Sequence, residues 1–269
     1  MSFAITMYAR PSGIVTLTTD FGLRDPYVGI MKGALIAASD KPRIVDLSHD
    51  VAPQDIAMGA FMLWTAANRF PKGTVHIGVV DPGVGTKRRL LAATAHGRYW
   101  LVPDNGLCGA VLASSDTFEV REIDLDHLRI RRTSETFDGR DVLAPVAAWL
   151  ASGHYGFSAM GPRIEDADCT DLVFGGEHRV VHVDTYGNLI TNLRGTVLVD
   201  GTVLVDGAEQ QIVCGGQSMP MHRTYGDVAP GELLAYVGSF GLIEVAMANG
   251  SASERLGMQR GAPIELSKP

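Results

Sequence analysis

The segment TVHIGVVDPGVG, residues 74–85, decides the fold class of this chain. Its first seven residues form a nearly continuous apolar run, which is typical of a strand buried on both faces of a parallel sheet. Upstream, Ile14–Thr18 and Arg43–Leu47 predict two further strands, and helical spacing predicts a helix over Tyr27–Ala38 between them. Alternating strands and helices predict an α/β N-terminal domain with a mostly parallel sheet.

The pattern changes in the C-terminal third of the chain, where short strands alternate with turns. Residues 196–207, TVLVDGTVLVDG, nearly repeat themselves, and Asp200-Gly201 is typical of a two-residue hairpin turn. Leu189–Asn192 and Thr196–Val199 are predicted as separate strands. We therefore predict a smaller antiparallel β domain at residues 177–269, after an α/β domain at residues 13–173, with Gly175-Gly176 as the hinge between them.

Composition and motifs exclude several classes of function. The 269 residues carry a net charge of −7, so no basic surface is predicted for nucleic acid or an anionic membrane. No apolar run is long enough to span a bilayer, and the three cysteines, which form no CxxC pair, are typical of a reducing cytoplasm. The eight histidines form no HExxH or HxH motif, so neither a metal nor a cofactor is predicted. The GK[ST] end of a P-loop, the GxGxxG fingerprint and the GxSxG elbow are also absent.

Polar turns follow three of the predicted strands at their carboxyl ends, where ligands collect in open α/β sheets. They are Thr19–Gly22, Asp81–Gly85 and Pro103–Gly106. Two further polar constellations, Thr136–Asp141 and Asp184–Asn188, lie later in the chain. An aspartate before glycine or proline is also common in turns that have no catalytic role. Considered by itself, Asp141 is predicted to cap a helix. Taken together, the turns predict one site built from several loops.

Five motifs, in this order, carry a resemblance to a known family. They are TDFG at 19–22, DPGVGTKR at 81–88, PDNG at 103–106, TFDGRD at 136–141 and DTYGNLITN at 184–192. From about Ile14 onward the chain resembles the S-adenosylmethionine hydroxide adenosyltransferase family, related to the fluorinase and the chlorinase. The resemblance implies a C-terminal domain like a β-barrel and a homotrimer whose active sites lie between one subunit's N-terminal domain and its neighbour's C-terminal domain. It implies the reaction of S-adenosylmethionine with water to give adenosine and methionine.

The resemblance also implies roles for individual residues. Asp81 and Arg88 match two members of the family's catalytic Asp-Arg-His set, and Asp138 stands where the family has histidine. Asp20 would hold the ribose hydroxyls. The remaining substrate-binding residues implied are Phe137 and Gly139, together with Asp184 and Asn188 at the methionine amino and carboxylate region, Tyr186 near the adenine, and Ser239 facing methionine.

Asp138 leaves several possibilities open. The histidine is dispensable, or Asp138 serves in its place, or the activity is reduced or altered. Asp138 either lies close to Asp81, which would make one of the two carboxylates a better base, or points elsewhere.

Two rival functions also stay open at this stage. One is a protein that binds S-adenosylmethionine or adenosine without catalysis, and the other is a transferase that uses a halide or another nucleophile. An ionised Asp81 would repel a halide.

Overall fold

The computed structural model describes residues 8–40, 42–199 and 201–267. The chain divides into two compact units, Met1–Leu172 and Val173–Pro269, each with its own apolar core. Within the described residues, no helix combines the length and the apolar character needed to cross a membrane.

The first unit is built on a seven-stranded sheet in the order β2-β1-β3-β5-β4-β6-β7. The strands are β1 Ile14–Thr19, β2 Arg43–Ser48, β3 Val75–Val79, β4 Leu90–Ala95, β5 Arg98–Pro103, β6 Phe118–Glu122 and β7 Arg163–Ile164. The first four strands of that order are mutually parallel, and β4, β6 and β7 join by antiparallel pairing. The sheet is therefore mixed, because the β4–β5 hairpin reverses the direction of the chain and makes β4 antiparallel to β5.

Helices cover both faces of this sheet. They are α1 Tyr27–Ala38, α2 Ile56–Ala66, α3 Gly109–Ala113 and α4 Ala144–Ser152. Helix α1 packs on α4 over the core of β1 and β3, and α2 packs on α3. Asp55 caps the start of α2 by accepting a 3.0 Å hydrogen bond from the Met58 N–H. A π-helical turn at Gly139–Leu143 precedes α4 and leads directly into it.

The second unit contains a five-stranded and a three-stranded antiparallel sheet. Its elements are β8 Val180–Val183, β9 Leu189–Val197, β10 Val203–Val205, β11 Gln211–Cys214, β12 Gln217–Met219, β13 Leu233–Val237, β14 Leu242–Met247, α5 Ala252–Leu256 and β15 Glu265–Ser267. The antiparallel character was predicted correctly, and closure into a barrel stays a prediction. The β9–β10 hairpin is also confirmed, although Asp200 of its predicted turn lies outside the described residues.

The two strands predicted around Gly195 are one continuous strand, β9. A side chain at Gly195 would come within 2.7 Å of Val237 and 2.8 Å of Ile243. The glycine is therefore a close-packing position inside the strand and not the break that its residue type suggested.

The order of the parallel strands creates a crevice at their carboxyl ends. From β1 the chain moves to β2 on one side and then returns to β3 on the other side of β1, with Thr19 registered against Val79. Neighbouring strands whose connections leave in opposite directions form a topological switch point, which is the usual ligand position in such sheets. The turns that carry Asp20 and Asp81 both begin there.

Candidate active site

Asp20 places a carboxylate directly after β1 at this crevice. Its Oδ2 accepts a 2.8 Å hydrogen bond from the backbone N–H of Gln54, which ties the β1 loop to the loop before α2. Gly22 has a φ of 66°, in the left-handed region that favours glycine, and its N–H donates to the carbonyl of His49 at 2.8 Å. The backbone around Asp20 is therefore held from both sides.

Asp81 follows β3 and forms a tight ion pair with Arg88. The Arg88 Nε donates to Oδ1 and Oδ2 of Asp81 at 2.7 and 2.6 Å, and Nη2 donates to Oδ2 as well. Only 6% of the Asp81 side chain and 9% of the Arg88 side chain are exposed. Burial lowers the pKa of Arg88, but its hydrogen bonds to Asp81 and Asp138 outweigh this effect and raise the pKa overall. Arg88 is thus a permanent cation that fixes the Asp81 carboxylate.

Asp138 shares the same arginine. Its Oδ2 accepts a 2.6 Å hydrogen bond from Arg88 Nη2, and its Oδ1 accepts a 2.5 Å hydrogen bond from Arg132 Nε. The side chain is only 4% exposed. The interpretation in which Asp138 points away from Asp81 and Arg88 is therefore wrong. We call Asp81, Arg88, Asp138 and Arg132 the charge cluster, and its two carboxylates and two guanidiniums sum to zero.

A pocket of about 310 Å³ opens at the crevice, which is within the range of small-molecule sites. Its lining includes Asp20, Asp81, Phe137, Asp138 and Gly139, which are five of the residues predicted from the sequence. Four more lining residues, Phe21, Pro82, Val84 and Thr136, lie in the turns that were predicted to form the site. The lining residues that sequence reasoning missed are Pro53, Gln54, Val79 and Leu143. The ring of Phe137 meets that of Phe21 edge to face at 5.9 Å, so acidic and aromatic groups share this pocket.

The second unit brings three predicted residues into one turn. Asp184 Oδ1 accepts hydrogen bonds from the backbone N–H groups of Tyr186 and Asn188, both at 2.9 Å, and Oδ2 accepts one from Asn188 Nδ2 at 2.8 Å. Gly187 has a φ of 81°, and a Cβ there would lie 2.1 Å from Ser251 Oγ. The Tyr186 side chain is 78% exposed. Ser239, also exposed, lies on the separate turn between β13 and β14.

Family models match both units of the chain. The model of the SAM hydroxide adenosyltransferase N-terminal domain matches residues 15–161, and the model of the C-terminal domain matches residues 178–265. The chain belongs to the SAM hydroxide adenosyltransferase family. The resemblance that the five motifs carried is thereby confirmed.

Individual relatives of this SAM hydroxide adenosyltransferase family member span nearly its whole length. It is 39% identical to an (R)-S-adenosyl-L-methionine hydrolase of Thermus thermophilus, over 94% of this chain and 98% of the relative. It is 24% identical to a fluorinase of Nocardia brasiliensis, over 94% and 96% of the two chains. A crystal structure of an uncharacterized conserved protein from Thermotoga maritima matches with a TM-score of 0.82 and 31% identity, covering 95% of this chain and all of that one.

Arg132 is the contact of the charge cluster that sequence reasoning missed. It lies outside the motifs that carry the resemblance to the SAM hydroxide adenosyltransferase family, in a loop without regular periodicity. The one signal in the sequence that could have indicated this contact is the basic run Arg129-Ile130-Arg131-Arg132. It lies a few residues before Asp138, the aspartate that stands where the family has histidine. Within the described ranges, no three His, Cys, Asp or Glu side chains form a group that could hold a metal ion.

Asp141, in the family motif TFDGRD, is not a helix cap. It lies inside the π-helical turn and accepts hydrogen bonds from the backbone N–H groups of Thr133 and Ser134, at 2.8 and 2.9 Å, and from Arg140 Nε at 2.6 Å. Burial acts to raise the pKa of Asp141, but these hydrogen bonds outweigh it and lower the pKa to about 2. Asp141 therefore holds the loop that delivers Arg132 to Asp138.

The low pKa of Asp141 predicts a defined pH dependence of stability. Because its pKa in the folded protein lies below the ordinary value, its contribution is complete above that ordinary value and is lost as the pH falls toward about 2. We expect Asp141→Asn to lower the free energy of unfolding at pH 6 by about 1.5–3 kcal/mol, since bonds to a charged group are lost. Urea titrations of both proteins from pH 6 to pH 2 measure this, and a difference that stays constant with pH would contradict the assignment.

Proposed function

We propose that the protein hydrolyses S-adenosyl-L-methionine to adenosine and L-methionine by in-line attack of water at C5′ of the ribose. The observation that carries this proposal is the buried Asp81 carboxylate, fixed by Arg88 at a pocket on the topological switch point. The Thermus thermophilus relative named as an (R)-S-adenosyl-L-methionine hydrolase supports the same reaction.

The reaction needs little from the protein on the side of the leaving group. As the water oxygen bonds to C5′, the C5′–S bond breaks, and its electron pair returns to sulfur. The sulfonium thus becomes the neutral thioether of methionine, without acid catalysis. The water must lose one proton, which passes to a base and then to solvent.

The charge cluster supplies the base and its orientation. Asp81 accepts a hydrogen bond from the attacking water and then its proton, and Arg88 keeps the carboxylate in place. Holding water in line with the C5′–S bond contributes about 7–11 kcal/mol in well-oriented systems. Two carboxylates in the same pocket, Asp81 and Asp138, disfavour an anionic nucleophile such as a halide.

Substrate contacts are assigned to both parts of the chain. In residues 13–173, Asp20 would hold the ribose hydroxyls, and Phe137 and Gly139, which line the same pocket, would also contact the substrate. In residues 177–269, Asp184 and Asn188 would contact the amino acid part of the substrate, Tyr186 the adenine and Ser239 the methionine. The family resemblance supports a homotrimer with active sites shared between subunits, which light scattering after size-exclusion chromatography tests directly.

Oxygen-18 water provides the test of the reaction. The purified protein is incubated with each sulfonium epimer of S-adenosylmethionine, and the adenosine is examined by mass spectrometry. Label in the 5′-hydroxyl group supports attack at carbon. Calorimetric binding of S-adenosylmethionine without adenosine release would identify a binding protein instead. A product that carries an added nucleophile would identify a transferase.

Arg132 predicts how the enzyme responds to a histidine at position 138. In Asp138→His, the imidazole would face donors from both Arg88 and Arg132, so we expect kcat for adenosine release to fall about tenfold. In the double variant Asp138→His with Arg132→Ala, one of these cations is gone, and we expect kcat to return to within about threefold of the wild type. A rise in kcat for Asp138→His alone would contradict this account.

A further inference from the structure

Two buried residues hold the backbone of the turn Asp20–Gly22, which we call the Asp20 turn. Thr19, the last residue of β1, accepts a 3.3 Å hydrogen bond from the Phe21 N–H through its Oγ1, which also lies 2.8 Å from His49 Nδ1. The carbonyl of His49 accepts the Gly22 N–H at 2.8 Å. Thr19 is fully buried and His49 is only 4% exposed, and neither lines the pocket to which Asp20 and Phe21 belong. Both N–H groups that follow Asp20 are therefore fixed from outside the pocket.

The surroundings of the Thr19 hydroxyl group fix the direction of its single proton. Its Oγ1 already accepts from the Phe21 N–H, and its other hydrogen-bond partner in the described ranges is His49 Nδ1. Since a buried hydroxyl proton without an acceptor would be costly, Thr19 donates to Nδ1. The imidazole of His49 is then an acceptor at Nδ1, and its proton is on Nε2.

Asp46 supports the same tautomer from the other side of the ring. Within the part of the chain that the structure describes, Nε2 of His49 makes no well-directed hydrogen bond, but it lies 3.1 Å from Asp46 Oδ1. Burial acts to raise the pKa of Asp46, but Lys32, whose Nζ donates to Oδ2 at 2.6 Å, and His49 outweigh this effect and lower the pKa. A carboxylate at this distance attracts a protonated Nε2 and repels an unprotonated one. His49 therefore presents its acceptor, Nδ1, to Thr19.

We propose that Thr19 and His49 are positioning residues that set the preference of the site for a ribose with free hydroxyl groups, because they hold the Asp20 turn at the pocket. The inference rests on the proposed function, because it takes Asp20 as the group that would contact those hydroxyls. Within the described residues, the Asp20 carboxylate accepts one hydrogen bond, from the Gln54 N–H. Its position therefore depends on the backbone of its turn, and Thr19 and His49 act through that backbone without touching the substrate.

Thr16 and His76 form a matched pair in the same sheet. Thr16 Oγ1 lies 2.7 Å from His76 Nδ1, and both residues are completely buried. Thr16 lies on β1, as Thr19 does, but this pair is in the middle of the paired strands β1 and β3 and does not belong to the pocket lining. Thr16→Val therefore removes the same kind of contact from the same strand without affecting the Asp20 turn.

The test compares S-adenosylmethionine with its analogue that lacks both ribose hydroxyl groups. Thr19→Val removes the contacts to His49 and to the Phe21 N–H with little change in shape. We expect kcat/KM for S-adenosylmethionine to fall about tenfold and kcat/KM for the analogue to change by less than about twofold. His49→Asn, whose side-chain oxygen can accept from Thr19 in place of Nδ1, should stay within about threefold of the wild type for both compounds. Thr16→Val should lower the melting temperature without changing the ratio of the two kcat/KM values.

Equal effects of Thr19→Val on both compounds, or none, would overturn the positioning role, as would a wild type that does not distinguish the compounds. His49→Leu, which removes the acceptor but keeps Thr19, is expected to behave as Thr19→Val does and decides the question if that variant does not fold. If the wild type releases no adenosine, the proposed function fails, and Kd values for the same two compounds decide the positioning role separately. Failure of the wild type to bind S-adenosylmethionine would contradict both.

Discussion

Asp81→Asn is expected to lower kcat for adenosine release by about a thousandfold, within the range that positioned general bases contribute. The amide has nearly the same shape but cannot take a proton from water, and Arg88 keeps its hydrogen bond to Asp138. We therefore expect the fold to survive and Kd for S-adenosylmethionine to change by less than about threefold. Single-turnover kinetics and calorimetry measure the two quantities separately.

Asp104→Asn serves as the control for this prediction. Asp104 follows β5 as Asp81 follows β3, and it is likewise buried and paired with an arginine, Arg89, through a 2.7 Å hydrogen bond from Nε. It does not belong to the pocket lining that contains Asp81. We expect this variant to lose stability but to keep kcat within about twofold. If Asp81→Asn also kept most of its kcat, Asp81 would not be the base.

Arg88→Ala is expected to reduce the free energy of unfolding by about 3–5 kcal/mol, the usual effect of removing one partner from a buried ion pair. The change leaves Asp81 without its arginine and leaves Asp138 with Arg132 alone, although both carboxylates are almost fully buried. Adding Asp81→Asn should recover much of this loss, because the uncompensated charge is then removed. Urea unfolding at pH 7 compares the three proteins.

Arg163→Ala measures what an ordinary arginine pair contributes. Arg163 pairs with Glu165 at 3.9 Å, and both side chains are mostly exposed. Its loss should change the free energy of unfolding by less than about 1 kcal/mol. An equally small effect of Arg88→Ala would mean that the charge cluster does not stabilise the fold.

Local patterns predicted the elements that carry strong periodicity. Helix α1 begins and ends where its helical spacing does, and β3 lies where the apolar run of residues 74–80 predicted a strand. Asp20 and Asp81 could be placed together because parallel strands bring their carboxyl ends to one edge. Strands β11, β12 and β15 were missed, since they are short and carry too few alternating apolar residues to stand out from turns.

The contacts that define the site chemistry could not be read from local patterns. Arg132 reaches Asp138 because a loop and a π-helical turn face each other, and neither has a periodic signature. In the sequence, Glu244 is a single acidic residue between apolar neighbours in a short strand, a pattern that predicts no partner for it. Only the pairing of β13 with β14 places Glu244 opposite Tyr236. Side-chain pairings between distant elements follow from tertiary packing, which local propensity does not encode.

The zero sum of the charge cluster restricts the routes by which this enzyme could be redesigned. Converting the pocket to accept an anionic nucleophile requires the loss of Asp81, and that step alone leaves Arg88 and Arg132 with one carboxylate between them. A library that varies one position at a time therefore leaves a net charge in this buried cluster whenever it replaces Asp81. Libraries that exchange an acid and an arginine together keep the cluster neutral, so we expect their variants to lose less stability than the single replacement does.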